Sequence, residues 1–236
     1  AYVGGLAGSN AVPIGSITNS YTTGSVVASG ASTSYIGGLA GSNTGSITSS
    51  YWDKEKSEQS SSAGSAADAG LTTAQMKEAI YYGNWDKNTV WYLNGGQTAP
   101  LLRSFLTSVT VSADPQSKVY DGNATAPLNH VTAYDASKVS GTLAWSGKDV
   151  GSHGLTGLYT TSQQGYLINY DDAAKLTITQ ATLYYTATPT SMTQGSEVPT
   201  LSGTIAGLKG SDTLGTVTAG GTATWSTTAT HTSPVG

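Results

Sequence analysis

The sequence has no cysteine, which excludes disulfides, cysteine-ligated zinc and thiol chemistry at once. Charge is almost as scarce. Asp, Glu, Lys and Arg make up 10% of the 236 residues, against roughly a quarter in an average globular protein. With 10 basic and 14 acidic side chains the net charge is −4, and phosphate neutralisation needs clustered Lys and Arg, so no nucleic-acid partner is expected. Ordinary disorder, which couples low hydrophobicity to high net charge, is disfavoured for the same reason. No apolar run nears the roughly 18 residues of a membrane span, so no membrane insertion is expected of this chain. No signal peptide opens it either, which suggests a piece of something longer. Small residues fill the space instead: 31 Ser, 36 Thr and 30 Gly. The class these features point to is an extended, mostly β protein.

Residues 1–52 carry no Asp, Glu, Lys or Arg, and they repeat. Tyr2-Val3-Gly4-Gly5-Leu6-Ala7-Gly8-Ser9-Asn10 returns as Tyr35-Ile36-Gly37-Gly38-Leu39-Ala40-Gly41-Ser42-Asn43. Gly15-Ser16-Ile17-Thr18-Asn19-Ser20-Tyr21 returns as Gly45-Ser46-Ile47-Thr48-Ser49-Ser50-Tyr51. The spacing differs between the two blocks because Ala11-Val12-Pro13-Ile14 is replaced by Thr44, as a loop on a regular scaffold would allow. A repeat of about 30 residues with strand-like pieces fits a β-solenoid coil. Leu6, Ile17 and Val26 of one rung are then expected to stack on Leu39, Ile47 and their successors. A flexible Gly/Ser linker is the competing reading, and regular placement of Tyr, Leu and Ile counts against it. These motifs resemble the GLUG repeats of large secreted bacterial adhesins, the filamentous-haemagglutinin-like exoproteins and related autotransporter passengers.

A compositional break follows at Tyr51-Trp52-Asp53-Lys54-Glu55-Lys56. Residues 57–70, rich in Ser, Ala and Gly, read as an exposed loop. Leu71–Ile80 reads as the one helix, with Thr72 and Gln75 spaced as a capping box and Met76 and Ile80 on its inner face. Asn84-Trp85-Asp86 to Val90-Trp91-Tyr92 is aromatic, Asn94-Gly95 is a hairpin turn, and Pro100-Leu101-Leu102-Arg103 ends the segment. That order resembles the segment that terminates GLUG-type solenoids, so residues 53–106 are expected to form a helix-containing cap. Trp52, Trp85 and Trp91 read first as cap core, with a sugar-stacking platform as the functional alternative.

Residues 107–180 contain Lys118-Val119-Tyr120-Asp121-Gly122, Lys148-Asp149-Val150-Gly151 and Asn169-Tyr170, between strand patterns at Val109–Ala113 and Lys175–Thr179. They resemble a YDG module of bacterial surface proteins. Residues 181–236 are similar to the MBG module, a mostly β grasp-like unit, through Pro199, Gly207-Leu208-Lys209-Gly210-Ser211-Asp212 and Ser233-Pro234-Val235-Gly236. Met192-Thr193-Gln194-Gly195 departs from that pattern, and the chain stops before a last strand, so this module is expected to be truncated.

Catalytic signatures are missing. His130, His153 and His231 stand without a Gly-x-Ser-x-Gly elbow or comparable motif. Asp171-Asp172 lacks a calcium-loop pattern and reads as turn carboxylates, as do Asp121 and Asp149. Gly4-Gly5 and Gly37-Gly38 lack a phosphate loop's ending. No enzyme activity, cofactor or metal is expected. The resemblance implies a secreted or outer-surface protein of a Gram-negative bacterium, binding glycans, host surface receptors or like molecules on neighbouring cells. A passive stalk is the rival, and a hydrolase passenger using this piece as scaffold is a third reading.

Overall fold

The computed structural model describes residues 1–29, 35–66, 69–218 and 221–235; Gly236, the last residue of the closing motif named above, lies outside them. Strand dominates over helix, and the sheets are small and open, two or three strands each. The chain gathers into two compact units. The first comprises Ala1–Val109, Tyr134–Gly141 and Leu158–Asn169; the second comprises Thr110–Ala133, Thr142–Gly157 and Tyr170–Gly236.

In the first unit the two repeats lie one on the other. Strands β1 (Tyr2–Gly4), β2 (Ala7–Asn10), β3 (Ser16–Thr18) and β4 (Tyr21–Thr22) come from the first copy. Strands β5 (Tyr35–Gly37), β6 (Ala40–Asn43), β7 (Ser46–Thr48) and β8 (Tyr51–Asp53) come from the second. Each pairs in parallel with its counterpart, identical or near-identical residues facing each other: Val3 on Ile36, Ser9 on Ser42, Ile17 on Ile47, Tyr21 on Tyr51. Such short strands hold together because the hydrogen bonds run between layers and the glycine turns let the chain change direction every few residues. At Gly37 a methyl group would overlap the Ala40 carbonyl, as at Gly4 it would overlap that of Ala7. The corners at Asn19 and Ser49, equivalent positions, share left-handed backbone at φ +47° and +45°.

Of residues 57–70, expected to form an exposed loop, 67 and 68 lie outside the described residues; the others form no strand before Gly70 and are partly exposed, yet hydrogen bonds tie them to the repeats. Ser61 O accepts from Gly38 N, Ser62 Oγ accepts from Leu39 N and Ala40 N, and Ala63 N donates to Ala40 O. Further on, Trp52 N donates to Ala69 O, and β9 (Gly70–Leu71) pairs in parallel with β8. A shortened third layer therefore closes one side of the repeats. Small side chains suit it, because the interior it meets is narrow. Ile17, Leu39, Ala40, Trp52 and Ala69 form one buried cluster. Leu39 is fully buried in the middle layer, whereas its counterpart Leu6, expected to be core, is 48% exposed.

The helix expected at Leu71–Ile80 is replaced by two 3₁₀ turns, Gln75–Lys77 and Ala79–Tyr82. Its capping box does form: Gln75 N donates to Thr72 Oγ1 (3.1 Å) and Thr72 N to Gln75 Oε1 (2.9 Å). Glu78 then turns extended (φ −89°, ψ 124°) and ends the run. Met76 is buried as expected, while Ile80, assigned to the same inner face, is 82% exposed. The α-helix of this segment is instead α1 (Lys54–Ser57), N-capped by Asp53. Strands β10 (Trp91–Tyr92) and β11 (Leu101–Leu102) pair antiparallel around the Asn94 turn.

The second unit is built on the strand Leu176–Thr179, paired in parallel with Gln116–Val119 and antiparallel with Gly151–His153. Its alternation puts Leu176 and Ile178 inside with Val111, Trp145, Leu155 and Ala174. Strands Tyr184–Ala187 and Gly203–Ala206 form a separate antiparallel pair, the first of them exposed at all four residues. A second α-helix, α2, spans Leu214–Val217.

Candidate functional site

The first candidate surface is the stacked repeat itself. Register turns the sequence repeat into ladders of like groups. Tyr2 and Tyr35 stack with ring centroids 5.3 Å apart, and both rings are more than half exposed. Ser46 Oγ donates to Ser16 Oγ at 3.1 Å on an open face. Inside, Asn10 Nδ2 donates to Asn43 Oδ1 (2.6 Å) and to Ser46 O (3.0 Å), and Asn43 Nδ2 passes on to Gly45 O (3.1 Å). Such an amide ladder satisfies buried polar groups layer by layer, which keeps the register from slipping. With no ionisable Asp, Glu, Lys or Arg in residues 1–52, the outer face offers hydroxyls, aromatic edges and backbone.

Beside the ladder lies an aromatic cluster. Tyr21 and Tyr51, register partners, pack on Trp85; Trp85 packs on Trp91 (4.4 Å) and on Tyr82 (4.7 Å). Trp85 Nε1 donates to Ser49 O (2.8 Å) and Trp52 Nε1 to Gln59 O (2.9 Å). Trp52 and Trp85 are 1% and 4% exposed, and their ring faces are covered by protein, leaving a sugar ring nothing to stack on. Trp91 is half-buried in the same cluster. Trp52 sits in the core of the repeats with Ile17, Leu39, Ala40 and Ala69, while Trp85 and Trp91 pack together and on Tyr21. Tyr21, Tyr51 and Tyr82 belong with them and were not singled out from sequence, although the first two recur at the same repeat position. Burial pushes the Tyr21 hydroxyl up from the ordinary phenol value and that of Tyr82 well above it, with neighbouring tyrosines and Asp53 adding to the effect at Tyr82.

Each histidine has its own separate contact. His130 Nδ1 meets the Asp114 carboxylate, which raises its pKa by hydrogen bond and charge. His153 Nε2 lies 2.7 Å from Asp149 O, and His231 O accepts from Gly195 N. Asp171 works as a turn carboxylate, accepting from Ala173 N (2.9 Å) and Ser112 Oγ (2.8 Å), bonds that lower its pKa. Among the described residues no group of three or more His, Asp or Glu side chains is placed to hold a metal ion. No described helix is long and apolar enough to cross a membrane.

The second unit holds a groove of about 640 Å³, lined by Tyr120, Lys148, Asp149, Leu208, Lys209 and Asp212 among others. Sequence reading took these residues as separate module motifs, and nothing in the spacing announced that they share one groove. The chain matches no protein-family model, no curated protein and no solved structure.

Proposed function

We propose that the chain is part of a secreted adhesin on the outer surface of a Gram-negative bacterium, attaching cells by multivalent, non-catalytic binding. Residues 1–52 are its β-solenoid rungs, 53–106 their cap, and 107–180 and 181–236 small YDG-like and MBG-like β modules. One observation carries the reading: two uncharged repeats stack in parallel and in register, so that Tyr, Ser and Asn each face their own kind. A surface built this way multiplies one weak contact along its length, and linked weak contacts gain about 10²–10⁴ in avidity. Neutral faces also crowd without mutual repulsion. Glycans, host receptors or the same face on a neighbouring cell are the partners this chemistry suits. The purified, labelled chain tests it on producing bacteria, on bacteria stripped of polysaccharide and on epithelial cells. Saturable binding to one surface, strengthened about a hundredfold when the chain is clustered on beads, supports the adhesin. Absence of saturable binding on all three leaves the stalk.

A further inference from the structure

Lys118 stands in a setting unlike any other lysine here. Its Nζ meets Asp121 Oδ1 (2.8 Å), Asn123 O (2.8 Å), Asn123 Oδ1 (3.1 Å) and Thr125 O (2.9 Å). An ammonium has three protons to give, so four convergent oxygens make an arrangement closer to cation coordination than to a surface ion pair. The side chain is 16% exposed. The loop is shaped for it: Gly122 reverses the chain at φ +85°, Asp121 Oδ1 accepts from Asn123 N (3.1 Å), and Asn123 Oδ1 accepts from Thr125 N (2.8 Å). The lysine itself is fixed on a paired strand, Lys118 facing Ile178. Next to it, Tyr120 Oη donates to Asp212 Oδ1 (3.1 Å), and a methyl on Gly122 would touch Gly210.

We propose that the loop 121–125 is a cation-binding site of the ammonium class, that Lys118 is its built-in occupant, and that the filled loop presents Tyr120 to Asp212. A tethered cation cannot be diluted away, so the loop holds its shape in any medium without a free metal ion. It thereby clasps the three-stranded sheet to the segment carrying the Gly207–Asp212 motif.

The whole chain serves for the test. In the unaltered protein the Lys118 ammonium protons exchange with water more slowly than those of the other lysines. In Lys118→Ala, amide protection at Asn123 and Thr125 falls about tenfold or more, the effect of losing a hydrogen bond to a charged group, and the Asp212 amide signal moves. Ammonium chloride restores both; tetramethylammonium chloride, which has no N–H to donate, does not. Lys118→Arg fails to substitute, because a planar fork cannot meet four oxygens converging on a point. Lys175→Ala, whose ammonium pairs with the exposed Asp172 carboxylate, leaves the loop as it was. Lys118 protons that exchange like the rest, unmoved amides in Lys118→Ala, or equal rescue by tetramethylammonium would each overturn the site.

Discussion

At the scale of single residues, the glycines and corners of the repeat decide whether layers can meet. A methyl on Gly38 would overlap the Trp52 indole, so Gly38→Ala is expected to destabilise by about 1–3 kcal/mol, measured by chemical denaturation. At the left-handed corners the first repeat uses Asn19 and the second Ser49. Asn tolerates that backbone better than Ser, so Ser49→Asn should gain up to about 1 kcal/mol in the same assay. A loss there would mean that the corner is not strained. The interior amide ladder gives the opposite sign. Asn10→Ala strips Asn43 Oδ1 and Ser46 O of their donor and should cost about 1–3 kcal/mol. pH acts on exposed pairs. The folded-state pKa of His130 is raised, by its hydrogen bond to Asp114 and then by that charge. Its stabilising contribution is therefore complete below the ordinary value of 6.5 and lost as pH rises through the higher folded value. Asp86, Asp121, Asp135 and Asp171 run the other way, lowered mainly by hydrogen bonds. What they contribute is present above 3.8 and disappears as pH falls through their folded values. NMR titration should place the His130 midpoint above 6.5, returning toward 6.5 in Asp114→Asn; an unchanged midpoint in that variant would remove Asp114 as the cause.

At the scale of elements, sequence reading succeeded where identity between copies carried the information and failed where composition did. The register of β1 to β8 follows from aligning two near-identical stretches. The third layer had no such copy to reveal it, since residues 57–70 are mostly Ser, Ala and Gly and carry no apolar pattern of their own. Small side chains signal a loop when solvent surrounds them, yet they are also what fits beneath a narrow layer. The missing helix at Leu71–Ile80 shows the limit of a local signal. Its capping box is intact, but packing favours separate turns that bury Met76 and Tyr82, so tertiary contacts override propensity. Asp53 is the stronger cap in this segment. It is buried, its Oδ1 accepts from Glu55 N and Lys56 N, and its Oδ2 accepts from Thr73 Oγ1. Asp53→Ala should accordingly cost about 1–2 kcal/mol, more than an exposed cap would.

At the scale of the whole molecule, the second unit was legible as strands and turns but not as a site. Leu176 and Ile178 alternate as a half-buried strand should, and Asp121-Gly122 makes its turn. The cage around Lys118 is not written in the spacing, because its oxygens come from backbone and side chain alike. In the first unit, any multivalent surface depends on identical residues facing one another from layer to layer. The absence of native cysteine allows that register to be read covalently. Ser16 and Ser46 are register partners with hydroxyls 3.1 Å apart, and parallel strands stand about 4.8 Å apart, within the range a disulfide spans. The double variant Ser16→Cys with Ser46→Cys should close an intramolecular disulfide rapidly under mild oxidation, seen by peptide mass mapping. The displaced pair Ser16→Cys with Ser49→Cys should stay reduced. A displaced pair that closes as fast, or a matched pair that never closes, would contradict the in-register stack and the binding surface proposed from it.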